Sequence, residues 1–284
     1  MTYQPRTPET GMVTFQGTGG KLTGFLASPR DPHHHPAIIA IHEWWGLNNW
    51  VKEQATNLAG NGYVVLAVDL YQGKVTADRA EARRLKRDLP KDRAISDLKA
   101  AFDYLAARPD VDPKRIGSLG WSMGGGLALQ LAIHEPQLAA CVVNYGPLPT
   151  EPGDLKKINA RVLGIFGSLD RAIPPDKVRA FERCMNATNK TVNIKIYHGA
   201  GHAFENPANK RGYRPDAAAD AWLRMLAFFD RAGLEVARQF GRNGGRKRQM
   251  ADSKIESAKK LLATGVPPRD VARNLGVSVS TLHC

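Results

Sequence analysis

The 284-residue sequence predicts an α/β fold: a mainly parallel sheet flanked by helices, with a small helical tail at the C-terminus. Two observations predict it. From Pro36 onward, short apolar runs alternate with longer amphipathic ones, and that rhythm closes into a parallel sheet covered by helices. The short runs are also apolar at nearly every position, as strands buried on both faces require.

Taken in order, MVTFQG and KLTGFLAS read as an antiparallel hairpin at the sheet edge. PAIIAIHE (36–43) is a central buried strand, followed by a helix from about Trp50 to Leu58 that ends at Gly60 and Gly62. YVVLAVDL (63–70) is a second buried strand. Residues 77–108 carry Ala, Leu, Arg and Asp at helical spacing, and Pro90 should break them into two helices. RIGSLG (115–120), LAACVVNYG (138–146), ARVLGIFG (160–167) and TVNIKIYH (191–198) are further strands. Helices are expected over 125–134, 175–186 and 215–232. After the last of these, GRNGGRK (241–247) is a Gly- and Arg-rich break. It places a boundary between a large α/β domain at 1–240 and a tail at 241–284.

Composition bounds what such a chain can do. The net charge of +13 suggests nucleic acid until its location is considered. Residues 241–284 alone hold nine Lys/Arg against three Asp/Glu, so much of the excess belongs to the tail and says little about the main body. MTYQPRTPETGM lacks a basic segment followed by an apolar run, and no stretch approaches the length of a membrane span. Cysteines occur only at 141, 184 and 284, too scattered for a disulfide framework. A cytoplasmic protein without membrane contact is the expectation.

One motif carries chemistry. Gly120-Trp121-Ser122-Met123-Gly124 follows a strand and precedes a helix, the setting of a nucleophile elbow. The serine must occupy a strained turn, and glycines two residues to either side remove the clash. A serine hydroxyl needs a base to take its proton. Asp170 follows ARVLGIFG in GSLDRAIPP, and His202 follows TVNIKIYH in GAGHAFEN. The chain order Ser, Asp, His on loops after successive strands fits an acid–base pair serving Ser122. His198, at the end of its strand, and His134, ending a helix, are the other candidates for the base; the glycine-flanked loop favours His202. His42 reads as a packed histidine and Cys141 as a small apolar core residue. The run His33-His34-His35 reads as solvated loop without spaced metal partners, so no metal is expected.

With these residues read, the chain resembles the dienelactone hydrolase family of α/β-hydrolases. IHEWWGL (41–47), DLYQG (69–73), GWSMGG (120–125), NYG (144–146), GSLD (167–170) and GHAF (201–204) match its blocks in order, over roughly residues 10–235. The resemblance implies one α/β-hydrolase domain without a large lid, hydrolysis of esters or lactones through an acyl-enzyme, and no cofactor. Carried over, Ser122, Asp170 and His202 match the triad. Glu43 matches a glutamate that contacts the resting nucleophile, and the backbone N–H groups of Trp44 and Met123 match the oxyanion hole. An acidic residue at the end of a central strand also faces the crevice where such folds bind ligands.

Two departures stand out. Well-known members use cysteine where this chain has Ser122. They also place an arginine four residues after the histidine to hold a substrate carboxylate, and here that position is Asn206. Trp45, Tyr145 and Asn206 are therefore the expected substrate contacts, and Trp44, Trp45, Trp50 and Tyr145 suggest a pocket for a bulky or aromatic ester.

The tail tells a different story. SKIESAKKLLATG (253–265) reads as an amphipathic helix, and PPRDVARNLGVSVSTL (267–282) as helix, turn and the start of another helix. It resembles the helix-turn-helix of transposon resolvases and invertases from about Gly245 to Leu282. The chain stops at Cys284, a turn or so into the helix that should enter the major groove. A remnant without DNA function is the preferred reading, and a DNA-tethered hydrolase the alternative.

Overall fold

The computed structural model describes residues 7–234 and residue 274. The domain boundary near 240 and the helix-turn-helix reading of the tail therefore lie outside the described residues.

The expected hairpin is present. β1 (Glu9–Gly17) and β2 (Gly20–Ser28) pair antiparallel, with Gly17 opposite Gly20. β3 (His35–Ile41) is buried at all seven positions. It stops two residues short of the expected end, so His42 and Glu43 lie just beyond the strand. α1 (Asn49–Gly60) starts where the Asn48 side chain accepts a hydrogen bond from the Val51 amide at 3.2 Å, an N-cap that satisfies one of the helix's unpaired donors. β4 (Val64–Val68) is again fully buried.

α2 (Arg79–Arg87) is capped by Asp78, which accepts from the Glu81 amide at 2.8 Å. Pro90 separates it from α3 (Lys91–Ala106), as its missing N–H requires. β5 (Val111–Trp121) begins four residues before its apolar run. Then come α4 (Met123–His134), β6 (Ala140–Asn144) and the single turn α5 (Pro152–Leu155), which no apolar periodicity announces in four residues. β7 (Arg161–Gly167), α6 (Pro175–Ala187), β8 (Val192–Tyr197) and α7 (Pro215–Arg231) complete the described elements.

The strands form one sheet in the order β1-β2-β4-β3-β5-β6-β7-β8, with β3 to β8 mutually parallel. α3 and α4 pack on each other and over β5, α1 covers β4, and α7 covers β7. Ile38, Ile39 and Ile41 are 0 % exposed because both faces of β3 are covered.

The order carries a functional consequence. The chain leaves β3 for β4 on one side, then returns to β5 on the other. Loops after β3 and β5 consequently diverge, and a crevice opens at their carboxyl ends. Glu43 and Ser122 follow those two strands.

One expectation is corrected here. His33 and His34 are exposed, but His35 is buried and opens β3. Its Nδ1 lies 3.1 Å from the Gly62 carbonyl and its Nε2 lies 3.0 Å from Asp31, so the ring staples two loops at the amino ends of β3 and β4. Among the described residues no helix is long and apolar enough to cross a membrane.

Candidate active site

Ser122 sits between β5 and α4 with φ 51° and ψ −115°. A residue other than glycine rarely adopts such a φ, and the strain amounts to about 1–3 kcal/mol. Its surroundings enforce it: the Ser122 amide donates to the Asn144 carbonyl of β6 at 2.9 Å, and the Gly126 amide donates to the Ser122 carbonyl at 3.2 Å. The hydroxyl is thereby held out at the carboxyl edge of the sheet.

There it meets the histidine expected from the sequence. Ser122 Oγ lies 2.8 Å from His202 Nε2, and His202 Nδ1 lies 2.7 Å from Asp170 Oδ2. Asp170 is 2 % exposed. Its other oxygen, Oδ1, accepts from the Ala172 and Ile173 amides at 2.8 and 3.0 Å. Burial alone would raise the pKa of this carboxyl, but the hydrogen bonds from His202 and from those amides outweigh it and hold the group below its ordinary value. An imidazole so placed can take the serine proton while the carboxylate fixes its tautomer. His198 and His134 are exposed and stand apart, the latter with Nδ1 at its own helix's Gln130 carbonyl, 2.8 Å away.

The loop carrying His202 is fastened by a residue that the sequence reading passed over. Asn209 Nδ2 donates to the carbonyls of His202 and Ala203 at 3.0 and 3.2 Å. Ala203 has φ 55°, so the chain needs this clamp to keep a strained turn. The Tyr145 ring stacks edge-on against the imidazole, centroids 5.3 Å apart.

Glu43 is 2 % exposed and its carboxylate accepts from Asn206 Nδ2 at 2.7 Å. Burial pushes its pKa up, and the Asn206 amide and the facing imidazole pull it partly back. Asn206, expected as a substrate contact, is itself buried. Its Nδ2 serves Glu43 and its Oδ1 accepts from the Ala208 amide at 2.9 Å. Thus the neutral amide of Asn206, expected to contact substrate, supports a carboxylate instead of facing the crevice.

Trp44 and Trp45 follow Glu43 and pack edge-on, 4.9 Å apart, both half-buried. Met123 opens α4, so its amide is one of the N–H groups that have no carbonyl a turn earlier. Trp50, expected in the pocket, packs on Trp121 at 5.1 Å, and Tyr145 is 0 % exposed. His42 is packed as expected. Its Nδ1 lies 2.5 Å from the Glu43 carbonyl and its Nε2 accepts from the Leu70 amide at 3.3 Å, which ties the loops after β3 and β4 together. Cys141 is fully buried, and burial pushes its thiol up to about 12.

Comparison with known proteins agrees with this architecture. The model of the dienelactone hydrolase family matches residues 22–233, and that of the helix-turn-helix domain of resolvase matches residues 245–283. A Saccharolobus solfataricus protein provisionally named carboxymethylenebutenolidase is 32% identical over 261 residues, covering 77% of this chain and 97% of its own. The crystal structure of a provisionally named dienelactone hydrolase from Klebsiella pneumoniae superposes with a TM-score of 0.73 at 30% identity, covering 78% of this chain and 98% of its own. A dienelactone hydrolase-like promiscuous phosphotriesterase from metagenomic libraries shares the fold at a TM-score of 0.74 and 24% identity, covering 80% and 99%.

Proposed function

The chain belongs to the dienelactone hydrolase family, and we propose that it cleaves carboxylic esters or lactones by a serine mechanism through an acyl-enzyme. The observation that carries the proposal is the continuous relay from Ser122 Oγ through His202 to Asp170, at 2.8 and 2.7 Å. His202 takes the hydroxyl proton as the oxygen attacks the carbonyl. The amides of Trp44 and Met123 receive the developing oxyanion. The intermediate collapses with His202 protonating the departing alkoxide, which leaves an acyl group on Ser122. A water molecule, deprotonated by the same imidazole, then releases the acid. In a lactone the alkoxide and the acyl group are one molecule, so hydrolysis frees a single hydroxy or keto acid.

With Asn206 committed to Glu43, uncharged esters and lactones are the expected substrates, bulky or aromatic groups lying along Trp44 and Trp45. Phosphotriesters are a side substrate on chemical grounds, since the same two amides accept any oxyanion of suitable geometry. The test is a panel of a neutral aryl ester, an enol lactone and a phosphotriester, assayed on wild type and Ser122→Cys. Wild type should turn over the two carboxylic substrates faster than the phosphotriester by about a hundredfold or more. Absence of turnover of both carboxylic substrates overturns the reading, and a Ser122→Cys variant faster than wild type marks a site still shaped for a thiol.

A second reading rests on the resolvase match at 245–283: a DNA-binding protein with the hydrolase domain as sensor or scaffold. Phosphate contacts from a basic arm would make such binding weak and salt-sensitive. Full-length chain should then retard duplex DNA in a low-salt gel, and a chain ending at residue 240 should not. Equal retention by both, or by neither, rejects it.

A further inference from the structure

The loop that presents His202 carries a carboxylate that the relay does not use. Glu205 lies three residues beyond the histidine. Its Oε2 accepts from the Trp121 indole Nε1 at 3.3 Å, and Trp121 is the residue immediately before Ser122. Its Oε1 is out of reach of solvent and has no hydrogen-bond partner, although the residue as a whole is only half-buried. The titratable groups facing it are Glu43, after β3, and Tyr145, after β6. No cation forms an ion pair with it among the described residues. A lone carboxylate in such a setting is costly as an anion, and a second carboxylate beside it adds repulsion.

We propose that Glu205 is a positioning residue for the hydrolytic site: it fastens the His202 loop to the nucleophile elbow through Trp121, and a negative charge on it opposes the oxyanion formed there.

Placement and charge lead to the same conclusion. Residue 121 and residue 122 share one strained turn, and residues 202 and 205 share one loop, so the Glu205–Trp121 bond spans the same gap as the Ser122–His202 bond. With Oε2 accepting from the indole, the proton of the acid resides on Oε1. Burial and the repulsion of Glu43 push this carboxyl up to about 8, against the pull of the indole N–H. Below that pH the bridge is uncharged. Above it, a negative charge faces Glu43, the residue before the Trp44 amide that is proposed to receive the oxyanion, and disfavours that oxyanion.

This inference rests on the hydrolytic reading for its kinetic consequence, and the experiments separate the two. In wild type, kcat/KM for a neutral aryl ester should fall about threefold to tenfold through an inflection near pH 8. Glu205→Gln keeps an acceptor for Trp121 but has no proton to lose, so that inflection should vanish. Glu205→Leu removes the acceptor and should lower kcat at every pH with little change in KM. Superimposable profiles for wild type and Glu205→Gln overturn the proposal. A readout independent of turnover is the indole N–H resonance of Trp121, assigned with Trp121→Phe. In the wild-type chain it should titrate with a midpoint near 8; a resonance that stays fixed from pH 6 to 10 overturns the proposal, whatever the enzyme's activity and however the Glu205 variants fold. Conversely, a titrating indole in a chain that cleaves no ester sinks the hydrolytic reading and leaves the protonated bridge standing.

Discussion

Ser122→Ala is expected to lower kcat/KM for an activated aryl ester by about four to six orders of magnitude, with urea stability within about 1 kcal/mol of wild type. The size of the effect follows from the cooperation of the relay. Once the attacking oxygen is gone, the imidazole at 2.8 Å has no proton to take, and the Asp170 carboxylate, held by His202 and two amides, orients a base without a task. On the proposed mechanism, what remains is stabilisation by the Trp44 and Met123 amides and by binding, which in serine hydrolases leaves a residual acceleration over water of about a thousandfold or more. The small effect on stability has its own reason. The strain at Ser122 is in the backbone, at φ 51°, and alanine inherits it, while among the described residues the hydroxyl's hydrogen-bond partner is His202. Turnover unchanged in Ser122→Ala would place the chemistry elsewhere. A large loss of stability with a proportionate loss of activity would mean that the variant reports folding, so the unfolding curve belongs in the same experiment.

Much of this site is legible in the sequence because its parts are local. The elbow is five consecutive residues whose glycines state their own reason, and Asp170 and His202 each lie a few residues beyond an apolar run. Strand order itself is constrained by the alternation of strands and helices, so the carboxyl ends of β3, β5, β7 and β8 bring those residues together. What escapes the sequence is pairing between distant side chains. Asn206 and Glu43 are 163 positions apart, and nothing in either neighbourhood says that the amide will be spent on the carboxylate. Asn209 has the same difficulty at shorter range, since an asparagine in a Pro- and Asn-containing loop reads as turn chemistry until its amide is seen holding two carbonyls. His35 was misread because loop composition conceals burial: a histidine next to a proline scores as polar, yet the sheet closes over it. Glu205 was passed over because an exposed glutamate in a loop is the ordinary case, and only the contact with Trp121 removes it from that class.

The second large effect concerns space, not chemistry. Gly124→Ala is expected to lower the unfolding free energy by about 3 kcal/mol or more, and in the extreme to prevent accumulation of folded protein. Gly124 lies in the first turn of α4, where alanine is the better helix former by about 1 kcal/mol, so propensity alone would make the variant more stable. A Cβ there would sit 2.2 Å from the Ile41 carbonyl oxygen and 2.6 Å from that of His42. Both are backbone atoms at the end of a strand paired on both sides, and neither can rotate away as a side chain would. Helix and sheet must therefore separate, and the parts displaced are the Glu43-Trp44 segment and the elbow itself. Gly60→Ala is the matched control: also helical, at the end of α1, with open space where its Cβ would lie. It should be neutral or slightly stabilising. If urea unfolding finds the two variants within about 0.5 kcal/mol of each other, close approach of α4 to β3 is not what requires glycine at position 124. If Gly124→Ala alone collapses, the elbow's second glycine marks where the helix that aims Ser122 rests directly on the strand that delivers Glu43.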